Sequence, residues 1–198
     1  MVKSNNAQDL ATSNENQIIF IGNSITENWE KLDPDFFANK NYINKGIGGQ
    51  TTPQILNRFK KDVIDSHPKL VIILAGINDI AQNTGPITLQ EISENIFAMA
   101  ELAKENQIKV ILCSVLPALD FPWRKGLLPA KKIITLNEAI KKYANENDII
   151  YLDYYTSMVD KQMGLNEQYT YDGVHPNKTG YQVMEILVQK TIKKAIIY

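Results

Sequence analysis

Cysteine and histidine are scarce in this chain, and the scarcity narrows its chemistry. Among 198 residues only Cys113 carries a thiol and only His67 and His175 carry an imidazole. An internal disulfide is excluded, and the usual zinc ligand sets of Cys and His cannot be assembled. Neither a metal nor a cofactor is expected. Long hydrophobic runs are missing too. The longest, Leu70 to Ile77, has eight residues, against the roughly 20 that a helix needs to span a bilayer. Charge of one sign does not dominate: 21 Lys and Arg face 22 Asp and Glu, so no positive field draws nucleic acid or anionic lipid.

What is present is ordinary globular composition, 44% apolar and 22% charged, in a chain large enough to bury one core without staples. Residues 1–16 are polar, and 17–198 are expected to form a single domain. The opening lacks the apolar centre of a secretory leader. That reads as cytoplasmic for the sequence as it stands, and as periplasmic or secreted if a leader has been removed.

From residue 17 on, short β-rich runs alternate with segments of helical period, the pattern of βαβ units around a parallel sheet. Five strands are predicted: Gln17 to Gly22, Tyr42 to Asn44, Leu70 to Ala75, Lys109 to Ser114 and Ile149 to Asp153. The third and fourth (LVIILA, KVILCS) are nearly unbroken apolar runs, as in central strands covered on both faces. The second is short and polar, which suits an edge. Helical stripes follow: Leu56, Phe59 and Val63; Ile92, Ile96, Met99, Ala100 and Ala103; Ile133, Leu136, Ile140, Tyr143 and Ala144; and Met184, Leu187, Val188, Thr191 and Ala195. The fold class is α/β, a doubly wound three-layer α/β/α sandwich of flavodoxin-like type. Strand order is not readable from one sequence. Two long loops, Leu116 to Ala130 and Tyr154 to His175, follow strands at the carboxyl ends, where open α/β sheets bind ligands.

Chemistry can be assembled at that end. The first strand runs into Gly22, Asn23 and Ser24 and then a helical segment, so Ser24 sits where helix N-terminal amides favour a negative oxygen. Taken alone this is the ordinary position of an N-cap serine. A serine hydroxyl needs a base. His67 precedes Pro68 ahead of the third strand, at the wrong end of the sheet. His175 lies on the last long loop, at the right end, with Asp172 three residues earlier in DGVHP. There Gly173 permits a tight turn and Pro176 stiffens the chain. A carboxylate on one imidazole nitrogen selects the tautomer that lets the other accept a serine proton. Acyl transfer also needs donors for a developing oxyanion. NKGIGGQTT offers backbone amides unobstructed by side chains, and Asn78 in AGIND offers a side-chain NH2.

At these residues the chain resembles the GDSL or SGNH hydrolase family, in four blocks over Ile18 to about Tyr181. IIFIGNSIT is similar to the family's nucleophile block, GIGGQTT to its glycine block, GIND to its asparagine block and DGVHP to its terminal acid and base block. The resemblance implies a serine esterase with Ser24 as nucleophile, His175 as base and Asp172 supporting it. It implies an oxyanion hole of the Ser24 amide, the Gly49 amide and the Asn78 side chain, with Gly48 adjacent and separable from Gly49 only by backbone direction. One departure is Asn23, where the name-giving motif has Asp. The substrate implied is a small-molecule acyl ester, with a short, acetyl-like acyl group favoured. The loop bearing Phe121, Pro122, Trp123 and Arg124 is suited either to a sugar ring or to covering the sheet edge. Lysophospholipase or thioesterase activity and a catalytically silent binding module are the competing expectations. A nucleotide-binding flavodoxin relative is disfavoured, because no phosphate loop occurs.

Overall fold

The computed structural model describes residues 16–38 and 40–197. The polar opening segment therefore lies outside the described residues but for Asn16. Among the described residues five parallel strands form one sheet: β1 (Ile18–Gly22), β2 (Tyr42–Gly46), β3 (Leu70–Leu74), β4 (Lys109–Cys113) and β5 (Ile150–Leu152). Their spatial order is β2-β1-β3-β4-β5, and every pairing is parallel. This is the flavodoxin-like order, which reverses between β1 and β3 and opens a crevice above their carboxyl ends.

Burial explains which strands are inner. All five residues of β1 and of β3 are buried, and both strands read as unbroken apolar runs because helices cover them from both sides. β2, predicted at an edge, is there, with every residue half-buried. It extends to Gly46, beyond the predicted Asn44. Its polar Lys45 and its Gly46 escape detection by hydrophobic pattern, yet they pair with Ile21 and Gly22 of β1.

The helices are α1 (Ser24–Leu32), the short α2 (Pro34–Phe37), α3 (Thr52–Asp62), the short α4 (Ile77–Ile80), α5 (Leu89–Glu105), α6 (Pro129–Glu146), the short α7 (Tyr155–Met158) and α8 (Lys178–Ile197). α3, α5 and α6 pack in sequence along one face, while α1 and α8 lie with β1, β2 and β5 on the other. α1 and α8 meet through Trp29, whose ring stacks on Tyr181 at 5.5 Å and whose Nε1 donates to Glu185 Oε1 at 3.0 Å. The predicted stripes of α5 and α6 are buried apart from Tyr143, which is only partly covered. Two stripes shift by a residue. In α3 the buried side chain is Ile55 beside Phe59, with Leu56 half-covered; in α8 it is Ile192, with Thr191 half-exposed. A serine or threonine inside an apolar segment gives little register information, which accounts for the slip in α8.

Of the two long loops, 116–128 holds no regular element, and α6 begins at Pro129, inside the predicted loop. The second is more ordered than its sequence suggests. It contains α7, a 3₁₀ turn at Glu167–Tyr169 and isolated bridges Val159 to Leu165 and Thr170 to Pro176. Among the described residues no helix is long and apolar enough to cross a membrane.

Candidate active site

Four loops at the carboxyl edge of the sheet bring the sequence candidates together. The N-cap of α1 is Asn23, not Ser24: its side-chain oxygen accepts the Ile25 N–H at 3.0 Å, and its carbonyl accepts the Glu27 N–H at 2.9 Å. Ser24 is thereby the first helical residue, free of capping duty. Its own N–H meets no protein acceptor among the described residues, as is usual for the first amides of a helix. Asn23 is 1% exposed, and its side-chain NH2 is buried without a partner.

The Ser24 hydroxyl lies 3.0 Å from His175 Nε2 across 151 positions of sequence. On the far side of the ring, His175 Nδ1 is 2.7 Å from Asp172 Oδ2. An ionised carboxylate only accepts, so Nδ1 carries the proton and Nε2 presents its lone pair to the serine. The second carboxylate oxygen accepts the Val174 N–H at 2.9 Å and the His175 N–H at 2.7 Å. Burial pushes the Asp172 carboxyl up, but these amides and the imidazole outweigh it and hold it below the usual carboxylate range. The turn itself is knotted at Thr170, whose hydroxyl donates to the His175 carbonyl at 2.7 Å and accepts the Gly173 N–H at 2.9 Å. Gly173, at φ +85°, supplies the left-handed step that lets the acid and the base face each other.

The glycine loop passes beside the serine: a Cβ added to Gly48 would stand 3.9 Å from Ser24 Cβ. Glu27, one turn into α1, separates the two candidate amides. Its Oε2 accepts the Gly48 N–H at 2.8 Å and its Oε1 accepts Lys31 Nζ at 2.7 Å. Those bonds, Lys31 foremost, hold its carboxyl low. The Gly48 amide is thus engaged, whereas no hydrogen bond from the Gly49 N–H is found among the described residues. Gly49 sits at φ +75°, with open space where a Cβ would be. Asn78 is 3% exposed and donates one Nδ2 hydrogen to the Gln50 carbonyl at 2.9 Å, which leaves its second N–H for another acceptor.

Behind this loop Arg58 of α3 donates to Gly22 O at 3.0 Å, to Lys45 O at 2.8 Å and to Gln50 Oε1 at 2.7 Å, tying the ends of β1 and β2 to the glycine loop. Asp79, beside Asn78, is 1% exposed and accepts from the Thr52 N–H and hydroxyl. Burial lifts its carboxyl to about 6 in spite of the Thr52 bonds that favour the charge. Sequence reasoning passed over both residues. A charged side chain enclosed by LVIILAGIN and IA was the available signal for Asp79.

Two aromatic rings flank the imidazole. Trp123 lies 5.8 Å from His175 at a 40° tilt, and Tyr171 lies 5.8 Å away, nearly parallel at 10°. Both are exposed, at 44% and 60%. Trp123 is tethered through its Nε1 to Asn83 Oδ1 at 3.1 Å, and Arg124 donates to Gln82 O at 2.6 Å. The loop is therefore anchored to the turn after α4. Phe121, by contrast, is fully buried and serves the core. Tyr171 had no sequence signal beyond adjacency to Asp172. His67 is exposed in the turn before β3, at the opposite edge. Among the described residues no group of three or more His, Cys, Asp or Glu side chains could hold a metal ion.

Comparison with known proteins identifies the family and the fold. The profile of the GDSL-like lipase/acylhydrolase family matches residues 20–183. The solved structure of a GDSL-like lipase from Bacteroides thetaiotaomicron VPI-5482 superposes with a TM-score of 0.89 at 48% identity, covering 96% of this chain and 98% of that one. The platelet-activating factor acetylhydrolase IB subunit alpha2 of Homo sapiens is 26% identical over 172 residues, 84% of this chain and 72% of the relative. The lipoprotein YqeF of Bacillus subtilis is 35% identical over 86 residues, which is 42% of this chain and about a third (35%) of that relative.

Proposed function

The chain belongs to the GDSL-like lipase/acylhydrolase family and is a carboxylic ester hydrolase, and on that premise we propose that residues 17–198 form a serine esterase domain acting through Ser24, His175 and Asp172. The single observation that carries the reading is the relay of hydrogen bonds from Asp172 through His175 to the Ser24 hydroxyl, at 2.7 and 3.0 Å.

His175 Nε2 takes the Ser24 proton as Oγ attacks the ester carbonyl carbon, and Asp172 stabilises the imidazolium that forms. The carbonyl oxygen, now negative, is held by the Ser24 and Gly49 amides and the free Nδ2 hydrogen of Asn78. Collapse of this intermediate expels the alcohol, which takes the proton from His175 Nε2 and leaves Ser24 acylated. Water then attacks the acyl carbon, with His175 accepting its proton, and the acid departs as the serine recovers its hydrogen. The cycle is complete without a cofactor.

The acyl group in this reading is short and acetyl-like, and the alcohol is a carbohydrate. Support for acetyl comes from the acetylhydrolase relative at 26% identity. Support for a sugar comes from Trp123 and Tyr171, two exposed rings beside the base that offer apolar faces to the C–H surface of a pyranose. The test has two arms. Ser24→Ala is expected to fold, to lose ester hydrolysis and to escape labelling by an organophosphonate that marks the wild type; undiminished turnover excludes this serine. On the wild type, kcat/KM is expected to fall as the acyl chain lengthens beyond acetyl and to be higher on acetylated sugars than on lysophospholipids or acyl thioesters. The reverse order assigns the aromatic rim to a lipid chain.

A further inference from the structure

Asp79 is the buried charge that the proposed mechanism leaves unused, and its placement is hard to explain as a contribution to stability. A carboxylate enclosed to 1% exposure gives up its hydration, and well-packed apolar side chains often serve as well or better at such positions. Its partners locate what it does. The Thr52 N–H lies 2.9 and 3.0 Å from its two oxygens, and the Thr52 hydroxyl donates to Oδ1 at 2.7 Å. Thr52 opens α3 directly after the glycine loop. Asn95 of α5 donates to the same hydroxyl at 3.2 Å, which fixes Thr52 from a third element. Two consecutive residues of α4 thus grip the chain two positions apart: Asn78 holds the Gln50 carbonyl and Asp79 holds Thr52.

We infer that Asp79 is a positioning residue for the oxyanion hole, clamping the loop that carries Gly49 to the helix that carries Asn78 so that the two donors keep one spacing. The inference rests on the reading of Gly49 and Asn78 as oxyanion donors. Those donors belong to different crossovers of the sheet, and nothing in either loop alone fixes their separation. A donor stabilises the developing charge only where its hydrogen meets the oxygen at bonding distance. The Asp79 to Thr52 clamp supplies that registration from behind, without touching substrate. Loss of the clamp leaves the spacing of Gly49 and Asn78 to the bonds from Asn78 to Gln50 O and from Asn83 to Gly49 O alone, and that looser registration lowers the rate of the chemical steps while the aromatic rim still binds the alcohol.

The test compares wild type, Ser24→Ala, Asn78→Ala, Asp79→Ala, Asp79→Asn and the Asn78→Ala/Asp79→Ala double variant on one acetyl ester, with Ser24→Ala normalised to total folded protein and every other protein to the sites titrated to completion by an organophosphonate. Asp79→Ala is expected to lower kcat per titrated site by roughly 10- to 100-fold, the scale of an ångström-level misplacement, with KM within about twofold. Asp79→Asn, which retains one acceptor for the Thr52 amide, is expected to recover part of the loss. The double variant is expected to be little worse than Asn78→Ala alone, because both changes act through one group. Thr52→Val, which removes the hydroxyl's bonds with Asp79 and Asn95 but keeps the Thr52 amide on Asp79, is expected to show a smaller loss of the same kind and carries the test should Asp79→Ala not fold. Wild-type kcat per titrated site in the Asp79 and Thr52 variants, or a loss fully additive with Asn78→Ala, overturns the inference while leaving the esterase reading intact. Wild-type turnover by Ser24→Ala overturns both together.

Discussion

The indole of Trp123 stands 5.8 Å from the imidazole of His175, centroid to centroid, although the two residues come from different long loops. The Trp123 N–H is held by Asn83, and 44% of the residue's surface remains open. In the proposed reading a ring so placed meets the alcohol side of a bound ester. Trp123→Ala is expected to lower kcat/KM on an acetylated sugar by about tenfold, an amount equivalent to losing one good aromatic contact of about 1.4 kcal/mol. The rate on a small aryl acetate is expected to stay within about twofold. Equal losses on both substrates assign Trp123 to orienting His175 instead.

Asp172 is held low by the His175 and Val174 amides as well as by the imidazole, against the opposing effect of burial. Asp172→Asn keeps the shape but presents an NH2 or a neutral oxygen to Nδ1, which undoes the tautomer preference. A fall in kcat on the order of 10³- to 10⁴-fold is expected, with Ser24 still present. The folded carboxyl titrates below its ordinary value of 3.8. Its contribution to stability is therefore intact above that value and disappears as pH falls through the lowered one. The difference in thermal midpoint between wild type and Asp172→Asn is accordingly expected to shrink at the acid end of a pH series.

Gly49 adopts φ +75°, with no heavy atom within 4 Å of where a Cβ would project. Gly49→Ala meets no clash, so its penalty is that of the left-handed backbone, about 1–2 kcal/mol. A lowering of the thermal midpoint by several degrees is expected, together with a loss of kcat of about 10-fold or more if the amide turns away from the oxyanion. Gly48→Ala provides the contrast, because its Cβ would meet Glu27 Oε2 at 2.8 Å, the far end of a movable side chain. Activity measured on both variants separates the two neighbouring amides.

The Asp79 carboxyl is lifted by burial from 3.8 to about 6, so the folded protein binds its proton more tightly than the unfolded chain does. Stability from this group is fully present below 3.8 and is lost as pH rises through about 6, amounting to about 3 kcal/mol across that window. Asp79→Asn lacks the titration. Denaturant unfolding of both proteins from pH 4 to pH 7 is expected to show wild type losing stability relative to Asp79→Asn as pH rises. Parallel curves contradict the raised value.

The bounds of the strands were legible in the sequence within two residues, because LVIILA and KVILCS can be satisfied only by burial on both faces. The edge position of β2 followed from the shortness and polarity of Tyr42 to Asn44 by the same physics. Ser24, Asp172 and His175 were legible as candidates through local chemistry: a serine at a strand exit, and an acid three residues before a histidine in a glycine turn. Asn23 shows where that reasoning stopped. Serine and asparagine both cap helices, and only the bond from Ile25 N–H to Asn23 Oδ1 assigns the cap to one of them.

The amino-acid order by itself determined the layer architecture and narrowed the candidate bases to one imidazole at the carboxyl edge of the sheet, since these follow from periodicity and from a scarcity of alternatives. Tertiary structure alone decided the strand order, the distance between Ser24 and His175, the engagement of Gly48 by Glu27, the flanking of His175 by Trp123 and Tyr171, and the grip of Asp79 on Thr52. Each of these joins groups 21 or more positions apart, or sets the angle between neighbouring side chains. Hydrophobic pattern records which face of an element is buried. It carries no term for the direction of a hydrogen bond between two loops, which comes into being only when the sheet brings them to one edge.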